Sequence, residues 1–108
     1  MRTILSLSML FVLLQFQDVK VSGTNGDYLV TGTAKGKYGP VYYTVEDGHV
    51  EFIKEKQVQL QEDGTFQLNI HIPREKLPHN ATLILYLYEK NKKGEKNQPY
   101  PVVLERLN

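Results

Sequence analysis

The sequence predicts an all-β protein, an antiparallel sandwich of about seven short strands. Three observations lead there. No segment carries a helical apolar period of useful length. Turn residues recur roughly every 8–12 positions between the apolar runs. Phe66, Leu68, Ile70 and Ile72 alternate with Gln67, Asn69 and His71, the period-two signature of a strand with one buried and one wet face. Seven tyrosines and no tryptophan suit such a pleated surface, where the ring packs and the hydroxyl reaches water.

Taken in order, the chain opens with Arg2 and an apolar run over residues 4–16, broken by Ser6, Ser8 and Gln15. A short positive start followed by such a run reads as a secretory leader. It is shorter than the ~20 apolar residues of a membrane span, and Asp18 and Lys20 close it, with small residues at Val21-Ser22-Gly23. The expected division is therefore a signal peptide over residues 1–23 and one domain over residues 24–108. That implies an extracellular protein with no membrane span once the leader is cleaved. Thr24-Asn25-Gly26 reads as a flexible start.

Residues 27–34 alternate around Tyr28, Leu29 and Val30 before Lys35-Gly36-Lys37 and Gly39-Pro40 interrupt them. Residues 41–45 are β-branched and aromatic, and Glu46-Asp47-Gly48 suits a tight hairpin. Residues 50–53 and 57–61 supply one or two further strands, and Glu62-Asp63-Gly64-Thr65 a second turn. Pro73 ends the alternating strand, and residues 74–80 form a crossover with room for a single helical turn before Pro78. Over residues 81–89, Leu83, Leu85 and Leu87 fill one face while Ile84, Tyr86 and Tyr88 line the other, which places this strand in the middle of its sheet. Residues 91–97 are a polar loop. Residues 100–107 form the last strand, assigned to an edge because Pro99 and Pro101 lack backbone donors. The expected core pairs Ile70 with Leu85, leaving Gln67 and Asn69 in water.

Without Arg2, Asp18 and Lys20, eleven basic residues balance eleven acidic ones, which gives no electrostatic case for nucleic acid or an anionic membrane. The chain has no cysteine, which removes disulfides, thiolate chemistry and Cys-based zinc sites. Stability must come from the apolar core. His49, His71 and His79 lack metal-site spacing. The only serine after the apolar run is Ser22, so a serine nucleophile is not expected. The acidic pairs before Gly48 and Gly64 lack the alternating oxygen ligands of a calcium loop. No cofactor and no enzymatic activity are expected. Asn80-Ala81-Thr82 is an N-glycosylation acceptor at the end of a polar loop.

From residue 41 onward the chain resembles the macroglobulin-type domains of the alpha-2-macroglobulin, complement and insect thioester-protein family. The residues that carry the likeness are Val41-Tyr42-Tyr43-Thr44-Val45, Gly48-His49-Val50, Phe66-Gln67-Leu68-Asn69-Ile70, Pro78, Ala81-Thr82-Leu83-Ile84-Leu85-Tyr86, Gly94-Glu95 and Val102-Val103-Leu104-Glu105. That resemblance implies a secreted sandwich with a role in defence. Thioester trapping does not carry over, because the cysteine it needs is missing. A second set, Val30-Thr31-Gly32-Thr33-Ala34-Lys35-Gly36 with Leu83-Ile84-Leu85-Tyr86 and Pro101-Val102-Val103-Leu104, is similar to the immunoglobulin-like domain of bacterial spore-germination and envelope proteins. Both imply an immunoglobulin-like sandwich.

Two functions follow as expectations. One is a non-enzymatic binding module that recognises a protein or cell surface through its loops and an exposed strand edge. The candidate contacts are Lys35, Lys37 and Tyr38 in one loop, and Lys92, Lys93 and Lys96 in another. The other is a protease inhibitor offering Arg74 and Lys76 in the proline-bounded crossover.

Overall fold

The computed structural model describes residues 15–35 and 39–108. Among them, seven strands form two packed antiparallel sheets. They are β1 (Phe16–Thr24), β2 (Asp27–Ala34), β3 (Val41–Glu46), β4 (Glu51–Gln57), β5 (Thr65–His71), β6 (Ala81–Lys90) and β7 (Lys96–Leu107). One sheet has the order β1-β2-β5 and the other β4-β3-β6-β7. An immunoglobulin constant-type sandwich keeps its fourth strand on the first sheet. Here the fourth strand lies beside the third, leaving β5 at an edge. The described residues thus form an all-β sandwich of two packed antiparallel sheets, three strands against four.

The main departure from the sequence reading lies at the start. A boundary between Gly23 and Thr24 falls inside β1, which pairs with β2 from Phe16↔Ala34 to Thr24↔Asp27. Phe16 is buried, and Val19 and Val21 pack half-buried against the core, so this segment behaves as a strand with an inner face. Residues 1–14, which include most of the apolar run, lie outside the described residues. Nor is Thr24-Asn25-Gly26 a loose end. Asn25 and Gly26 take φ of 55° and 96°, a two-residue left-handed hairpin loop that Asn-Gly adopts most readily. A side chain at Gly26 would begin 2.2 Å from the Ile72 carbonyl oxygen, so the turn also needs glycine for closeness.

The remaining strands follow the pattern of the sequence. In β5, Phe66, Leu68 and Ile70 are buried while Gln67, Asn69 and His71 are exposed. In β6, Leu83, Leu85 and Leu87 have no accessible surface. The two inner faces meet in one cluster that includes Val30, Val41, Val45, Ile70, Leu85 and Val102. Residues 50–61 give a single strand, β4. After it Val58 turns inward and its N–H donates to the Val41 carbonyl at 2.8 Å. Residues 74–76 wind into one 3-10 turn. The last strand begins earlier than the sequence suggests, at Lys96, and lies at a sheet edge.

Turn chemistry accounts for the connections. The Asp47 carboxylate accepts the N–H groups of His49 and Val50, both at 2.8 Å. Asp63 accepts from the Thr65 N–H at 3.0 Å and hydroxyl at 2.7 Å. These bonds hold both aspartates below the usual carboxylate range. The acidic pairs are turn formers.

Candidate functional site

Alternation along β6 sends Tyr86 and Tyr88 to the outer face of the four-stranded sheet, away from the core, and Tyr42 of β3 stands opposite Tyr88 in register. The Tyr42 and Tyr88 rings stack with centroids 6.2 Å apart and planes 24° from parallel. Both rings are capped by cations of the protein itself. The Lys90 ammonium lies 4.8 Å from the centre of the Tyr42 ring, and that of Lys96 lies 4.7 Å from the centre of Tyr88. Such contacts contribute about 0.5–1 kcal/mol at exposed sites. The Tyr88 hydroxyl donates to a Glu55 oxygen at 2.5 Å, and the other Glu55 oxygen pairs with Lys90.

Tyr88 is consequently inaccessible although it points outward. Burial, and then its bond to the Glu55 carboxylate, push its hydroxyl well above the ordinary tyrosine range. The Lys90 ammonium, followed by the Tyr88 hydroxyl, holds Glu55 below the usual carboxylate range. Beside this network, Thr44, Glu46, Tyr86, Tyr88, Lys96 and Pro99 surround a shallow depression of about 190 Å³. Pockets for small molecules typically enclose about 300–1,000 Å³. Farther along the sheet Ile84 faces Val103 and Tyr86 faces Pro101, and Val103 is 47% exposed. The outer face therefore joins tyrosines and an apolar strip to a charged margin.

The candidate contact loops converge on one pole. The 35–40 connection precedes Val41, which pairs with Glu89 near the end of β6. The 91–95 hairpin therefore lies beside that connection. Gly64 bonds Ala34 there as well, bringing in the 58–64 connection. Lys35 is exposed. Lys37 and Tyr38 lie outside the described residues. Lys92 and Lys93 are exposed at the hairpin tip, which Asn91 organises by accepting from Lys93 N–H at 2.9 Å and Glu95 N–H at 3.0 Å. Lys96 differs from its expected place: it belongs to β7, opposite Lys90, and its ammonium rests on Tyr88. Asn80 lies at the other pole, exposed and left-handed at φ 52°, immediately before β6. A glycan there would leave the lysine-bearing loops uncovered.

A second polar network closes the pole that carries Asn80. The Tyr28 hydroxyl donates to Glu105 at 2.7 Å and accepts from the Gly26 N–H at 3.1 Å, while Asn25 N–H donates to the same Glu105 oxygen at 2.9 Å. This network ties the β1–β2 turn to β7 across the sandwich. Burial, reinforced by the bond to Glu105, pushes the Tyr28 hydroxyl up to about 12. Tyr43 is also raised by burial.

The alkaline behaviour follows. An unfolded tyrosine ionises near pH 10, whereas Tyr28 and Tyr88 resist until higher pH in the folded protein. Their contribution to stability is intact below about pH 10 and is lost as pH rises through the folded-state values. Ultraviolet titration should show phenolate appearing in two stages, the second accompanied by loss of β-sheet circular dichroism. A single transition near pH 10 with the fold retained would contradict this burial.

Among the described residues, no three His, Asp or Glu side chains converge on a common point for a metal. His71 meets Asp27 at 2.6 Å on the exposed face of the other sheet. Comparison with protein-family models and with curated proteins finds no match.

Proposed function

We propose that this chain is a secreted, non-enzymatic binding module that recognises a protein or cell-surface partner. Its contact surface is the outer face of the four-stranded sheet together with the adjoining lysine-bearing pole. The observation that carries this reading is the half-exposed pair Tyr42 and Tyr86 on the outer face, supported from beneath by the covered Tyr88 and continued by Ile84 and the exposed Val103. Tyrosine supplies contact area at low entropic cost, and buried tyrosines often dominate binding energy. Lys92 and Lys93 extend the surface toward an acidic partner.

The macroglobulin resemblance adds the proposal of a defence role. The envelope-protein resemblance offers a bacterial cell-surface setting instead. Both are compatible with the sandwich, and the choice between them turns on secretion and on a glycan at Asn80. The inhibitor reading has less support, because Arg74 and Lys76 sit in a wound 3-10 turn rather than in an extended segment.

Affinity recovery from the secreting source tests the contact surface. Tyr86→Ala combined with Val103→Glu should reduce partner recovery at least tenfold while leaving the melting temperature within a few degrees. Lys92→Glu with Lys93→Glu should weaken recovery and its salt dependence together. Unchanged recovery with both pairs of substitutions would overturn the assignment of this face.

A further inference from the structure

A sheet edge is a row of unpaired backbone donors and acceptors, and proteins commonly blunt it with charge, proline or a bulge. Three of the four edges here carry such a device. In β1 the register shifts between Gln17 and Lys20, with Asp18 left-handed at φ 53°. In β4, Glu51, Lys54, Glu55 and Lys56 are all charged. β7 contains Pro99 and Pro101 and a left-handed Gln98 at φ 37°. The fourth edge, β5, reads Thr-Phe-Gln-Leu-Asn-Ile-His. It has no proline, lysine, arginine or carboxylate, and its register with β2 is continuous from Thr65 to His71.

The direction of its free backbone groups follows from the bonds at its two ends. The Ile72 N–H donates to the Gly26 oxygen and the Ala34 N–H to the Gly64 oxygen, each at 2.8 Å. With unbroken antiparallel pairing between these points, the even-numbered residues of β5 bond to β2. Gln67, Asn69 and His71 therefore turn their N–H and C=O groups toward the edge that, among the described residues, no strand pairs with. Thr65, the other residue of that set, is satisfied locally: its N–H reaches Asp63 at 3.0 Å and its C=O accepts from Gln61 at 2.9 Å.

We propose that β5 is a self-pairing edge, through which two copies of this chain join antiparallel about a two-fold axis at Asn69 to form one six-stranded sheet. That register uses all three free residues: Asn69 exchanges bonds with its copy, and Gln67 with His71 of the other copy. Six backbone hydrogen bonds result, two for each facing pair. A register centred on Leu68 would use only Gln67 and Asn69 and make four. The wet-face neighbours also match, since amide would face amide across the axis and Gln67 would face the imidazole, with no like charges opposed. The same strand serves both sides, as a closed two-fold interface requires. A foreign extended peptide could form the backbone bonds too, but the symmetric match of side chains selects a second copy. This edge lies on the sheet opposite the tyrosine face, so dimerisation and partner recovery fail or survive separately.

Sedimentation velocity of the secreted protein over a concentration series tests the proposal. Wild type should shift from monomer to dimer as concentration rises. Asn69→Lys and Asn69→Glu should each stay monomeric, because like charges would meet at the axis, and their equimolar mixture should restore the dimer. Asn69→Pro, which deletes the central outward N–H, should also be monomeric. Thermal melts establish that each variant is folded, and the Lys and Glu pair suffices if the proline variant is not. A wild type that stays monomeric, single-charge variants that dimerise normally, or a mixture that does not re-form the dimer would each overturn it.

Discussion

A chain cut to begin at Thr24 should lose its cooperative thermal transition, whereas one beginning at Gln15 should melt as a single unit. The cut removes all of β1 except its last residue. Phe16, which is 3% exposed, is worth about 1.5–3 kcal/mol in burial alone. Val19 and Val21 add partial burial. The pairing of β1 with β2 is lost as well, leaving the β2 edge open to water. Against a total stability of about 5–15 kcal/mol for a domain of this size, with no disulfide in reserve, the combined loss of this burial and of the β1–β2 ladder is a large share of the margin. Differential scanning calorimetry of the two fragments decides it. The same physics bears on secretion: an exported, folded form must keep Phe16, so its intact mass should place the first residue no later than position 16. The same mass reveals whether Asn80 carries a glycan. A folded secreted protein beginning at Thr24 would show that β1 is dispensable.

The second large effect lies where the sheets meet. Leu85→Ala and Ile70→Ala should each lower stability by about 2–5 kcal/mol, since both side chains are buried in the common core and their removal leaves a cavity. Gln67→Ala and Asn69→Ala, one residue away on the wet face, should change the stability of the monomer by less than about 0.5 kcal/mol. Denaturant melts at low protein concentration separate these effects from any dimer. If Asn69→Ala proved as damaging as Ile70→Ala, the facing of β5 would be reversed.

The strands most legible in the sequence were those with an uninterrupted period or a clear stop. β5 showed both faces directly, and β6, apolar on both, was recognisable as a central strand. Pro99 and Pro101 placed β7 at an edge. β1 was hidden for a physical reason. Its alternation of Val19 and Val21 with Lys20 runs straight on from an apolar segment, and the bulge at Asp18 breaks the period just where it would become visible. Asn25-Gly26 was the available signal, because that pair between two alternating stretches is a strong mark of a hairpin. The lysine-capped tyrosines were less accessible still. That Lys90 reaches Tyr42 and Lys96 reaches Tyr88 depends on cross-strand register, which composition and periodicity do not specify. The clustering of the loops near Lys35 and Lys92 follows from the order of the strands, which short apolar runs cannot set by themselves.

The two outermost strands in sequence, β1 and β7, both run from the lysine-bearing pole to the pole that carries Asn80. β1 starts beside Ala34, and β7 finishes beside Ala81. Tension applied at Phe16 and Leu107 would thus act along the strands from opposite ends of the molecule. It would load the β1–β2 and β6–β7 ladders in shear, so that their hydrogen bonds bear force together instead of opening one at a time. The Asn25, Tyr28 and Glu105 contacts, which join the β1–β2 turn and the start of β2 to β7, lie on the line of that load.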